Sequence, residues 1–303
     1  MSSLNGPVGL WTSTLDGLSP GEAAETVAAL DEQGWDSLWC GEAYGREAFT
    51  AAQWYLGASR RMAVGTGIAS IYGRDALAAA AAGRTLHAAY GGRFLLGLGV
   101  SHAPLVERLR GHDYGRPLAA MRAYLDALDA APALVAGESE APPRLLAALG
   151  PRMLELARDR AQGAHPYLVT PEHTARAREI LGGAAGETPA PLLVVEQAAV
   201  VDPAADRDPE TWRSRARAHL EIYTGLPNYR ASWRRQGFTE EDFVRGGSPR
   251  LAEALVTRGL DATRARVREH LEAGATSVVV QVLGADAAKP PVEDWARLAE
   301  AVL

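Results

Sequence analysis

"GGRFLLGLGVSHAP" (residues 91–104) begins as a buried strand and then stops behaving like one. The apolar run ends in Gly97-Leu98-Gly99-Val100 and then delivers Ser101 and His102 just ahead of Pro104. Glycine weakens a strand interior, so two of them at a strand's end point to a backbone that bends or is closely approached. A histidine at that place is either a reagent or a polar loop residue. The pattern on both sides of the stretch decides what kind of sheet it belongs to.

That pattern is a short apolar strand, a polar turn and an amphipathic helix, repeated. Working outward, strands are predicted at 7–11, 37–40, 62–68, 93–99, 144–149, 164–169, 191–200 and 276–283. Ser19, Pro20 and Glu22 carry a cap, a proline at the first helical position and a capping-box glutamate, and Gly34 closes that helix. Asp75 caps an alanine-rich helix that runs to Tyr90. Further helices are predicted over 117–130, from Pro151, from Thr170-Pro171-Glu172, and over 292–303. Eight strands, nearly all followed by helices, predict an α/β fold: a (β/α)8 TIM barrel with a parallel sheet. The region of about 202–260 is helical, arginine-rich and too long for a simple crossover, so it reads as a helical insertion before strand eight. No linker or composition break divides the chain, and 1–303 reads as a single domain.

Composition narrows the classes of function. A net charge of −6 argues against a nucleic-acid footprint, and no apolar run reaches the roughly 20 residues of a membrane span. The start lacks a basic segment followed by an apolar one, so no signal peptide is read and a cytoplasmic protein is expected. The lone cysteine, Cys40, excludes an intrachain disulfide framework and fits a reducing compartment. Lysine occurs once, at Lys289, against many arginines and alanines, the mark of a GC-rich coding bias and a high-GC bacterium.

In a (β/α)8 barrel the chemistry sits where the strands end, because the loops after them converge on the C-terminal mouth. Those ends deliver Trp11, Glu42, Gly67-Ile68-Ala69, Gly99-Ser101-His102, Leu149-Gly150, His165 to Thr170, Glu196-Gln197 and Gln281. Glycines gather there at 65, 67, 97, 99 and 150. Two readings of that cluster stand: a flat ring system pressed against the strand ends, or relief of crowding inside the barrel. Neither "GTGIAS" nor "GLGVSH" is a dinucleotide fingerprint, since the third glycine is missing. No histidine pair has metal-ligand spacing, and there is no nucleophile elbow or Walker loop. His165 precedes a proline and reads as a structural histidine. Glu196 and Gln197 interrupt an apolar strand, and a carboxylate there is either hydrogen-bonded or functional, because burying it alone is costly.

"DEQGWDSLWCGE", "VGTGIASIYGRDALAAAAAGRTL", the stretch from Gly91 to Leu128 and "LLAALGPRMLELARDRAQGAHPYLVTPEHT" together resemble the luciferase-like monooxygenase superfamily, and more narrowly its F420-dependent, actinobacterial branch. The resemblance runs from Gly9 to the last helix. It implies a homodimeric barrel with an inserted segment that binds coenzyme F420, or alternatively FMN, at the mouth. By the same resemblance, Gly67-Ile68 falls where the family has a non-prolyl cis peptide behind the deazaflavin ring, and His102 falls on the acid/base position. Cofactor contacts are implied for Glu42, Gly67, Ile68, Ala69, Gly99, Ser101 and Tyr167, with phosphate-side backbone contacts at Ala148, Leu149 and Gly150. The sequence departs from the family's sugar-phosphate and secondary-alcohol dehydrogenases, which carry Asp-His after strand two where Glu42-Ala43 stands here. Reduction of an activated C=C or C=N bond, with His102 as proton donor, therefore fits better. Substrate contacts are expected from Trp11, Glu196, Asn228, Tyr229 and Trp233; the rival reading is that the aromatics among them pack the insertion onto the barrel. An FMN-dependent monooxygenase is the alternative function, and a cofactor-less barrel acting as a binding subunit the second.

Overall fold

The computed structural model describes residues 4, 6–134, 137, 140–183 and 190–303. Ten strands occur among them, in chain order: β1 (Val8–Trp11), β2 (Ser37–Cys40), β3 (Ala63–Thr66), β4 (Ala69–Ser70), β5 (Phe94–Gly99), β6 (Arg144–Leu146), β7 (Gly163–Ala164), β8 (Leu192–Val200), β9 (Val256–Arg258) and β10 (Ser277–Val282). Eight of them, β1, β2, β3, β5, β6, β7, β8 and β10, pair in parallel in that order. The ring closes because β10 pairs with both β8 and β1, Val8 lying opposite Val278 and Ser277 opposite Val194. The predicted α/β barrel is the fold that forms.

Strand alternation sorts the residues into two apolar layers. Trp39, Ala63, Leu95, Leu145, Val194 and Val279 point inward and pack the interior. Their neighbours Leu38, Val64, Phe94, Leu96, Leu146, Leu193, Val195, Val278 and Val280 point outward into the larger core beneath the helices. Both faces are buried, which is why these strands read as continuous apolar runs. Trp39 fills so much of the interior that its neighbours must be small. A Cβ added to Gly65 would sit 2.5 Å from the Trp39 ring, one added to Gly97 would sit 1.9 Å from the Thr66 carbonyl oxygen, and one added to Gly99 would sit 2.5 Å from Ile68. Crowding within the barrel thus accounts for three of the five glycines in the cluster.

Local signals set the helices. The Ser19–Glu22 capping box opens Pro20–Gln33, which ends on Gly34 in the left-handed region (φ 96°). Asp75 accepts the Ala78 N–H and starts Ala76–Ala89. Three helical elements were not read from the sequence: the 3₁₀ turn Thr14–Gly17, the helix Ala48–Ala58, capped by the Glu47 carboxylate, and the π-helical turn Pro104–Leu109. Between β8 and the helix Gly259–Glu272 lie helices Pro203–Arg207, Pro209–Tyr223, Pro227–Arg235 and Pro249–Leu255, a 3₁₀ turn at Glu240–Phe243, and the unexpected strand β9. This segment has its own apolar cluster of Trp212, Leu220, Trp233, Phe238, Phe243 and Leu251. The cluster continues onto Leu168, Ala198 and Val200, so the segment sits on the end of the barrel where β7 and β8 finish.

The predicted strands at 62–68, 144–149 and 164–169 are shorter in the structure. The third breaks between Thr66 and Ala69, where the Thr66 hydroxyl takes over the ladder by donating to the Gly97 carbonyl (2.7 Å) and accepting its N–H (2.9 Å). The sixth shrinks to Gly163–Ala164 because Pro166 removes a donor and Leu168 takes a positive φ of 51°.

Candidate active site at the barrel mouth

The break in β3 builds one wall of the mouth. The Gly67–Ile68 peptide is cis, as the resemblance implied, and its carbonyl oxygen accepts the Trp11 indole N–H at 2.5 Å. Gly67 has no room for a side chain: a Cβ there would lie 2.8 Å from Trp11 Nε1 and 3.0 Å from His165 Nε2. Behind the bulge, Glu42 accepts the Ser70 N–H (2.8 Å) and pairs with the Arg74 guanidinium. Its carboxylate is therefore engaged in holding Ala69 and Ser70 in place.

The floor is made by β7 and β8. His165 stacks on Trp39 with ring centroids 4.9 Å apart, and its Nδ1 lies 2.8 Å from the Val194 carbonyl. A carbonyl only accepts, so Nδ1 carries the proton and Nε2 is left as a lone pair. That Nε2 has no hydrogen-bond partner and lies 3.7 Å from the Glu196 carboxyl. Glu196 is buried and its Oε1 is also unpartnered. Burial pushes the Glu196 carboxyl well above the usual range and lowers the His165 imidazole to about 4, so burial favours the uncharged form of each. Gln197, one residue on, faces the other way: its amide oxygen meets His270 Nε2 at 3.1 Å and its NH₂ donates to the Leu255 carbonyl at 2.9 Å. The two polar residues that interrupt the strand thus separate into one inside the barrel and one in the outer core.

The rim and roof complete the site. Ser101 sits in the left-handed region (φ 56°) and turns the chain so that His102 lies 5.9 Å from the Tyr229 ring. His102 Nδ1 is buried without a partner, and desolvation lowers the imidazole's pKa. Tyr229 packs edge-on against Tyr223 (4.8 Å) and Tyr167 (6.5 Å). The Tyr167 hydroxyl donates to the Gln281 amide oxygen and meets His219 Nε2, tying β10, the segment after β7 and the inserted helix Pro209–Tyr223 together. Trp233 is fully buried and donates to the Leu168 carbonyl at 2.9 Å, which makes it a packing residue of the inserted segment. Asn228 is exposed. Ala148 is buried and Gly150 opens the helix Pro151–Arg160 with no side-chain cap. Arg235 reaches that helix start, its guanidinium donating to the Leu149 carbonyl at 3.0 Å. Tyr167, His165, Glu196, Trp11, His102 and Tyr229 are thus brought together, with Trp233 packed behind Tyr229 (5.6 Å), whereas Asn228 is exposed and the Glu42 carboxylate is held behind the bulge by Ser70 and Arg74. His219 and Arg235 had not been singled out, and only their place in the arginine-rich insertion hinted at them.

Among the described residues no group of three or more His, Cys, Asp or Glu is placed to hold a metal ion, and no helix is long and apolar enough to cross a membrane. A cavity of about 420 Å³ lies elsewhere, lined by Trp212, Arg213, Thr257, Arg258 and Arg266.

Comparison with known proteins agrees with this architecture. A putative coenzyme F420-dependent oxidoreductase of Mycobacterium tuberculosis is 38% identical over 107 residues, 35% of this chain and 31% of that protein, so the match covers under a third of the relative's length. An uncharacterized protein of the same organism is 32% identical over 119 residues, 38% of this chain and 35% of its own. An F420-dependent secondary alcohol dehydrogenase bound to an F420-acetone adduct superposes with a TM-score of 0.75 at 15% identity, over 98% of both chains. The FMN complex of the oxygenating constituent of 3,6-diketocamphane monooxygenase from Pseudomonas putida superposes with a TM-score of 0.70 at 13% identity, again over 98% of both. The family model for luciferase-like monooxygenases matches residues 7–280, and the chain belongs to that family.

Proposed function

We propose that the protein is an F420-dependent oxidoreductase that moves a hydride between the deazaflavin and a small organic substrate, with reduction of an activated C=C or C=N bond favoured. The observation that carries this reading is the set of buried polar atoms left without partners around one mouth: His102 Nδ1, His165 Nε2 and Glu196 Oε1. Buried polar groups are ordinarily satisfied, so three orphans facing one region fit a polar ring and substrate that would satisfy them. The break at Gly67–Ile68, where the family resemblance sets the ring, lies beside His165, and the uncapped helix start at Gly150 with Arg235 beside it fits an anionic tail. The relatives in which F420 is named support that cofactor.

Bound F420 would supply the hydride. The chain's own residues do the rest. Trp11 fixes the bulge through its bond to the Gly67 carbonyl, and the tyrosine roof with Tyr229 excludes water. His102 stands at the rim as a neutral imidazole, suited to hydrogen-bonding a polar group of the substrate. A homodimer remains part of this proposal on family grounds.

Titration of the purified protein with F420 and, separately, with FMN tests the reading. Quenching of F420 fluorescence with saturable, micromolar-range affinity and no response to FMN is expected. Tight FMN binding with no response to F420 would favour the monooxygenase, and no binding of either would favour a cofactor-less barrel.

A further inference from the structure

We propose that Glu196 and His165 form a proton store in the floor of the mouth, in which Glu196 holds a transferable proton facing the lone pair of His165 Nε2, and that Glu196 rather than His102 supplies the proton that accompanies the hydride. The use of the proton rests on the function proposed above; the existence of the store does not.

The geometry fixes the pair. His165 Nδ1 is committed to the Val194 carbonyl at 2.8 Å, so its Nε2 can only accept. Glu196 Oε2 lies 3.7 Å from that lone pair, a short approach away from a hydrogen bond. No arginine or lysine is within salt-bridge distance of Glu196 among the described residues. The titratable groups that face it are His165 on the β7 side and Tyr167, Tyr223 and Tyr229 above, none of them a cation at neutral pH. A carboxylate buried among such neighbours is costly, so the acid form is the one this site holds. The pair also lies beside the bulge, since Gly67 would touch His165 Nε2 if it carried a Cβ.

His102 is the poorer proton source. Burial lowers its pKa from 6.5, so at pH 7.5 the imidazolium amounts to less than about a tenth of the population. In the step proposed, the hydride adds to one atom of the substrate's C=C or C=N bond as the π bond breaks. The Glu196 O–H proton passes to the other atom, forming the second C–H or N–H bond. Glu196 is left as a carboxylate and regains a proton from solvent before the next turnover.

Carbon-13 NMR of protein labelled at the glutamate side-chain carboxyl carbon tests the store without any cofactor. One resonance is expected to remain at the position of a protonated acid at pH 7 and to vanish in Glu196→Gln. If every glutamate is ionised at pH 7 in the wild type, the proposal is overturned, whether or not the variant folds. The use of the proton is then read in steady-state kinetics with reduced F420. Glu196→Gln is expected to lower kcat by about 100-fold or more, the usual worth of a general acid, with F420 affinity changed less than about twofold. Wild-type kcat is expected to be level from pH 6 to 8. A rate that falls steadily above pH 6 and survives in Glu196→Gln would make His102 the donor and overturn the inference, leaving the F420 reading intact. Failure to bind F420 would refute that reading instead, and the NMR result would still decide the store.

Discussion

Acidification of the Glu196→Gln variant tests the electrostatics of the buried interior most quantitatively. His165 and His173 are lowered to about 4 and His270 to about 3 by burial, and all three side chains are buried. Their folded values lie below the unfolded value of 6.5, so the stability they contribute is complete above that pH and is lost as pH falls toward 4. At pH 5 each unfolded histidine has taken up a proton that its folded counterpart refuses, which costs about 2 kcal/mol per residue and about 6 kcal/mol in all. Glu196 shifts the other way: its folded value is raised, so it contributes stability at low pH that is lost as pH rises, and the glutamine variant removes that offset. The raised Asp16, Asp36 and Asp294 titrate in the same sense as Glu196 and offset part of this loss, while His219, also lowered to about 4, adds to it, so the figure stands as an order of magnitude. A fall of that size is a large part of a typical folding stability, and at about 2 °C per kcal/mol it lowers Tm by on the order of 10 °C. Thermal melts followed by circular dichroism at pH 7.5, 6.5, 5.5 and 5.0 read it directly. A Tm constant within about 2 °C across that range would refute the assignment of these histidines as buried neutral bases.

Gly65→Ala is expected to cost about 1–3 kcal/mol, because its Cβ would press on a Trp39 ring already stacked on His165; a melting temperature equal to wild type would contradict it. Tyr229→Ala should both weaken substrate binding and lower Tm, since Tyr229 is buried among His102, Tyr167, Tyr223 and Trp233, and truncating a large buried aromatic costs about 3–5 kcal/mol. Melting curves beside KM values check that pair of effects. His102→Gln is expected to reduce kcat/KM by roughly tenfold or less, the worth of one hydrogen bond to substrate, with no loss of F420 affinity in a binding titration.

The barrel was legible because its signals are local and repeated: eight apolar runs, capping residues such as Ser19 and Asp75, and one stretch too long for a crossover. What escaped depends on partners distant in sequence. The helix Ala48–Ala58 has a glutamate cap at Glu47 rather than a serine or aspartate, and β9 is only three residues between two helices. Glu196 and Gln197 looked alike because both faces of a parallel strand are buried, so periodicity gave no clue to which faced inward. His165 read as structural because nothing near it in sequence shows its company. The neighbours that matter, Trp39, Val194, Glu196 and Gly67, arrive through the pairing of β7 with β8 and the break after Thr66. Trp233 sits on the same short helix as Tyr229, and only the fold shows that one packs against Leu168 while the other faces His102.

A crystal structure with F420 bound tests the central claim most directly, that one mouth holds the cofactor and does the chemistry. The expected result is the deazaflavin ring lying against Gly67–Ile68, with the free atoms of His102, His165 and Glu196 facing the substrate space beside it and its anionic tail toward Gly150 and Arg235. A ring bound elsewhere, for instance in the cavity between Trp212, Arg258 and Arg266, with the mouth filled by its own tyrosines, would contradict it.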